Sequence, residues 1–131
     1  MSRSAQLRAL LRQSVLVGDG ATGTQLQSLG LRPGECGLLW NRDAPDRVRD
    51  VHQRYLDAGA DLLTTNTFSG TTLALAAHGL ETHAAELNRA GAALFQFPGK
   101  DALKKLLVAA LLAGGIGQFR LDIVVDPVEF Q

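Results

Sequence analysis

The chain is predicted to be an α/β protein, and three observations carry that prediction. The short β-branched or leucine-rich runs "SVLVGD", "ADLLTTNTF" and "LDIVVD" (Leu121–Asp126) read as strands. Between them, apolar residues recur at helical spacing. Glycine or proline punctuates nearly every change of pattern. Strands separated by helices imply a parallel sheet with right-handed crossovers. At 131 residues the chain fits one domain, 1–131.

Ser4 is placed to cap a first helix with Leu7, Leu10 and Leu11 on one face. "SVLVGD" follows as a buried strand ending at Asp19. Beyond the glycine-rich turn, "TQLQSLG" makes one or two helical turns and stops at Gly30. Residues 31–44 read as a loop broken by Pro33, Gly34 and Gly37, although Leu38, Leu39 and Trp40 are too apolar for full exposure. Pro45 suits a first helical position, and Asp46 favours the positive end of the helix dipole. Val48, Val51, Tyr55 and Leu56 then repeat helically as far as Gly59. "TTLALAAHG" is a short helix stopped by Gly79, and "ETHAAELNRAGAALFQF" a longer one with Ala84, Leu87, Gly91 and Leu94 on one face. "KDALKKLLVAALLAGG" reads as a last helix before the final strand.

Composition narrows the classes of function. Hydrophobic residues make up 46% and charged residues 20%, too apolar a chain for disorder. Lys plus Arg and Asp plus Glu balance at 13 each, which argues against nucleic acid or an anionic membrane as partner. The apolar run Leu106–Gly114 is far shorter than the ~20 residues of a membrane-spanning helix. No secretory signal is visible, and one cysteine, Cys36, forms no intrachain disulfide; a cytoplasmic location is the expectation.

The stretch "VLVGDGATGTQLQ" offers two chemistries. Gly18, Gly20 and Gly23 match the G-x-G-x-x-G spacing that cradles a pyrophosphate. That reading needs a longer helix after Gly23 and a strand ending in an acid ~20 residues on. Asp43 has the spacing but sits in the predicted loop, and the next strand begins only near Asp61. The other chemistry uses Asp19 itself, at the C-terminal end of the first strand, where parallel α/β folds place their sites. Thr65, Asn66 and Thr67 occupy the same end of the second strand. One carboxylate, neutral hydrogen-bonding side chains and the open amides of Gly20–Thr24 suit a zwitterion such as an amino acid. Plainer roles compete. Asp19 could cap the glycine turn, Asn66 and Thr67 could satisfy backbone, and Phe68 and Trp40 could be core. Gly20 and Gly23 could serve only a turn that demands positive φ.

With these residues in view, "LVGDGATGTQLQSLG", "LWN", "VHQRYLDAGADLLTTNTF", "HGLE" and "LNRAGAAL" together resemble the opening of the homocysteine S-methyltransferase domain. That domain is found in betaine- and S-methylmethionine-dependent enzymes and at the front of cobalamin-dependent methionine synthase. The likeness covers residues 13–94 and leaves 95–131 as a divergent tail. It implies part of a TIM (β/α)8 barrel, about three strands with their helices, in which Asp19, Gly20, Ala21, Thr24, Thr65, Asn66, Thr67 and Phe68 help to line a homocysteine pocket.

The resemblance further implies zinc, held by three cysteine thiolates on late strands and ionising the homocysteine thiol for attack on a methyl donor. Those ligands are absent from this sequence: Cys36 stands alone, and His52, His78 and His83 lack ligand spacing. His52 and His78 are expected on helix surfaces. A complete barrel needs ~200 residues or more. The chain is therefore expected to be a fragment unable to methylate homocysteine alone, with any homocysteine binding weak or vestigial. Its open sheet edge would invite self-association or a complementary barrel fragment. The alternatives are a small Rossmann-like dinucleotide module and a ligand-free barrel remnant.

Overall fold

The computed structural model describes residues 3–94 and the strand segments 106–107, 109–111 and 120–122. Six α-helices occupy the described chain: α1 (Arg3–Gln13), α2 (Gly23–Ser28), α3 (Trp40–Asp43), α4 (Pro45–Asp57), α5 (Thr72–Ala76) and α6 (Ala84–Ala93). Single 3₁₀ turns at Gly37–Leu39 and Glu81–His83 lead into α3 and α6. The strands are short: β1 (Leu62–Leu63), β2 (Leu106–Leu107), β3 (Ala109–Leu111) and β4 (Arg120–Asp122).

Local signals fix most helix ends. Pro45 opens α4, where a missing N–H costs nothing. Thr71 caps α5, its Oγ1 accepting from the Ala74 N–H at 3.1 Å. Gly30, Gly59 and Gly79 follow α2, α4 and α5 with φ of +106°, +100° and +67°, a region costly for any residue with a Cβ. By contrast Gly20 and Gly23, expected to need positive φ, do not have it. Gly20 answers a packing demand instead, since a Cβ there would stand 3.1 Å from the Tyr55 hydroxyl.

The sheet departs from expectation. "SVLVGD" forms a single parallel bridge, Gly18 to Leu62, rather than a full strand. Asp61 and Leu62 donate their N–H groups to Val17 O (2.7 and 3.1 Å), and Asp19 N–H donates to Leu62 O (2.9 Å). Half-buried Asp61 adds a side-chain acceptor for Val17 N–H at 2.9 Å, tying the two segments together. β1 pairs in parallel with β2, Leu62 opposite Leu106 and Leu63 opposite Leu107. Three parallel segments thus stand side by side in chain order. Within the predicted last helix, the described residues Leu106–Leu107 and Ala109–Leu111 are strand, because pairing with distant partners outweighs the helical period of a leucine- and alanine-rich run. β3 and β4 pair antiparallel, against the all-parallel expectation. Positions 123–126 of "LDIVVD", 95–97 of the helix predicted over "ETHAAELNRAGAALFQF", and 100–105, 108 and 112–115 of the predicted last helix lie outside the described residues.

Three apolar clusters hold the helices. Leu26, Leu31, Val48, Val51 and Leu94 join α2, α4 and the end of α6. Cys36, Leu38, Leu75 and Leu87 join the 31–39 segment to α5 and α6. Leu56, Ala60 and Leu63 seat α4 on β1. The stretch expected to be loop at 31–44 is therefore partly helical, with Leu38 buried and Trp40 half-buried under the Arg47 guanidinium, 4.9 Å from the ring centroid. In α1 Leu7 is buried, whereas Leu10 and Leu11 are exposed.

Candidate functional site

The ends of the first two parallel segments lie side by side, and Asp19 is the joint between them. Its half-buried carboxylate accepts from the Thr64 N–H (2.8 Å) and from the Thr64 hydroxyl (2.9 Å). Thr64 escaped the sequence reading, which stopped one residue short of it. The only signal was its place at the start of "TTNTF". A carboxylate offers about four lone-pair positions, and Thr64 takes two. The glycine turn beyond Asp19 is mostly exposed, with Gly20, Ala21, Gly23 and Thr24 open to solvent. Tyr55 steadies it by donating its hydroxyl to Ala21 O at 2.7 Å.

The "TNTF" residues part company. Thr65 and Thr67 are buried, and their hydroxyls bond each other at 2.6 Å. Asn66 is buried too, donating from Nδ2 to Gly37 O (3.0 Å) and to Asn41 Oδ1 (2.9 Å). Phe68 is 76% exposed and so is not core. Asn66 and Phe68 both line a cleft of about 240 Å³ that opens between α2, the 31–38 segment and α5. Thr22, Cys36, Leu75 and His78 face it as well. Asp19 and Thr24 are not among its lining residues. The structure therefore brings Asn66 and Phe68 to a cavity and sets Asp19 beside Thr64 at the strand ends.

Two supports were invisible in sequence. Asn41, the asparagine of "LWN", donates from Nδ2 to Asn66 O (2.8 Å) and Leu87 O (3.2 Å). Asn88 donates to Gly70 O (2.7 Å) and Ala84 O (2.8 Å), pinning the far side of the same turn.

His52, expected on the surface, is buried in α4, and burial alone pushes its pKa down to about 4. His78 is exposed as expected, and His83 bonds Glu86 through Nδ1 at 2.9 Å. Arg42, bridging Asp43 and Glu86, and His83 hold the Glu86 carboxyl below the usual range, with the hydrogen bond from His83 the larger influence. For zinc, the donor set does not fit. Among the described residues no cluster of three or more His, Cys, Asp or Glu could hold a metal, and the whole chain has one cysteine.

The dinucleotide reading fails on geometry. The helix after Gly23 ends at Ser28, and Asp43 closes the helical turn α3 instead of a strand. The family is settled by comparison: the family model for homocysteine S-methyltransferase matches residues 16–121. The chain belongs to that family.

Methionine synthase of Mycobacterium leprae is 47% identical over 64 residues, covering 44% of this chain and 5% of that protein. Two crystal structures of the homocysteine methyltransferase MmuM from Escherichia coli are similar. The metallated form has a TM-score of 0.63 at 27% identity, over 80% of this chain. The oxidized form has a TM-score of 0.64 at 28% identity, over 82% of this chain. This chain spans 40% of each MmuM chain. No helix among the described residues is long and apolar enough to cross a membrane.

Proposed function

We propose that the chain is the opening of a (β/α)8 barrel that binds homocysteine across its first two strand ends. The observation that carries this is the junction of Asp19 with Thr64. Two hydrogen bonds hold the carboxylate at the rim, leaving lone pairs for the substrate ammonium. The exposed main chain of Gly20, Ala21 and Thr24 would receive the substrate carboxylate. Thr65 and Thr67 brace the turn from within, and Asn66 and Phe68 wall the adjoining cleft. Three parallel segments in chain order support the barrel reading.

Methyl transfer asks more than binding. A free thiol has a pKa near 8.5 and is mostly protonated at neutral pH. The zinc chemistry of the family would ionise it, but this chain lacks the three-cysteine donor set, so it binds without turnover. On the same reading, the flank of residues 15–19, with Val15 and Val17 exposed, would pair with a strand of the complementary barrel segment.

Titration of L-homocysteine by calorimetry tests the binding. Saturable heat that falls at least tenfold in affinity in Asp19→Asn is expected. No heat, or equal affinity in the variant, refutes the site. Turnover with zinc and a methyl donor above a chelated control refutes the inactivity.

A further inference from the structure

Asn41 is 3% exposed, and its side chain joins three pieces of the fold. From α3 its Nδ2 reaches Asn66 O in the turn and Leu87 O in α6, while its Oδ1 takes a hydrogen from Asn66 Nδ2. The two asparagines therefore exchange hydrogen bonds, and the second hydrogen of Asn66 Nδ2 is spent on Gly37 O. Nothing about helix formation at Trp40–Asp43 requires an asparagine. What uses it is the carbonyl of Asn66, which takes a donor, and the Asn66 amide, which takes an acceptor, both in one buried place, with Leu87 O on α6 as a second contact.

Helix α6 closes the arrangement from the other side. A Cβ at Gly91 would stand 2.7 Å from Asn41 Nδ2 and 2.9 Å from Thr67 Cγ2. The absence of a side chain at Gly91 thus lets α6 press on the asparagine and the turn together. We propose that Asn41, with Gly91 behind it, is the positioning residue of the Thr65–Phe68 turn, fixing the direction in which Asn66 meets the cleft. This rests on the reading that the turn serves homocysteine binding.

Asn41→Asp and Gly91→Ala test it in the full chain. The aspartate keeps the shape but turns a donor into an acceptor facing two carbonyls. The alanine favours the α6 helix locally, so any loss must come from the contact. Val48→Ala, a truncation in the α4 core, supplies a control for general destabilisation. Two readouts are taken where circular dichroism shows each protein folded. One is calorimetric affinity for L-homocysteine. The other is amide hydrogen exchange at Thr67 and Gly70, whose N–H groups donate to Thr65 O (2.8 Å) and Thr67 O (3.0 Å).

Both test variants are expected to bind homocysteine about tenfold more weakly and to exchange Thr67 and Gly70 about tenfold faster than Val48→Ala does. If the parent chain binds no homocysteine, the binding reading fails, and the exchange arm alone decides the role of Asn41. Exchange matching the control refutes the positioning role. So does failure of both test variants to fold, which would make the asparagine pair a folding element only.

Discussion

Acid should unfold this chain partly through one histidine. His52 lies on the buried face of α4, and burial lowers its pKa from 6.5 to about 4. The unfolded chain takes up this proton below pH 6.5, whereas the folded chain resists until near pH 4. Between those values the unfolded state binds more protons, so stability falls as pH falls. The stabilisation is fully present above pH 6.5 and lost towards pH 4. A difference of about 2.5 pH units at 1.36 kcal/mol each gives about 3 kcal/mol. That is a large part of the roughly 5–15 kcal/mol that holds a small domain together. The comparison is between the parent chain and His52→Leu, unfolded in urea at pH 7 and at pH 4. Glu35, Asp43 and Glu86, whose carboxyl pKa values are lowered by exposed partners, also lose stabilisation in acid, but they do so in both proteins and cancel. Between the two pH values the parent should lose about 3 kcal/mol more than the variant. Parallel pH dependence would show that this histidine does not titrate as a buried group.

Three further outcomes are expected. Leu87→Ala empties a fully buried position in the cluster joining α5 and α6, and should cost roughly 2–5 kcal/mol in urea unfolding. Thr71→Ala removes the α5 cap and should cost about 1 kcal/mol by the same measurement, with Thr71→Ser restoring most of it. Thr64→Val deletes one of the two hydrogen bonds to Asp19 and should weaken homocysteine binding by about tenfold while Thr71→Ala leaves affinity unchanged; equal affinity in Thr64→Val would mean Asp19 needs no such anchor.

What the sequence by itself determined was mostly local. Pro45, Gly30, Gly59 and Gly79 set helix ends through backbone preferences that act within a few residues, and the helices lie where those residues placed them. The order and spacing of "LVGDGATGTQLQSLG", "LWN", "VHQRYLDAGADLLTTNTF", "HGLE" and "LNRAGAAL" indicated the family that residues 16–121 match. The helical period even put His52 beside Val48, Val51 and Leu56; its polarity, set against that period, suggested the wrong face. Tertiary structure decided the rest, because the deciding bonds join distant residues. Asn41 meets its partners 25 and 46 positions away, and Asp19 meets Thr64 across 45. Strand pairing likewise claimed Leu106 and Leu107 from a run with helical spacing. A hydrogen-bonded side chain or a paired strand takes its meaning from a partner that no local window contains.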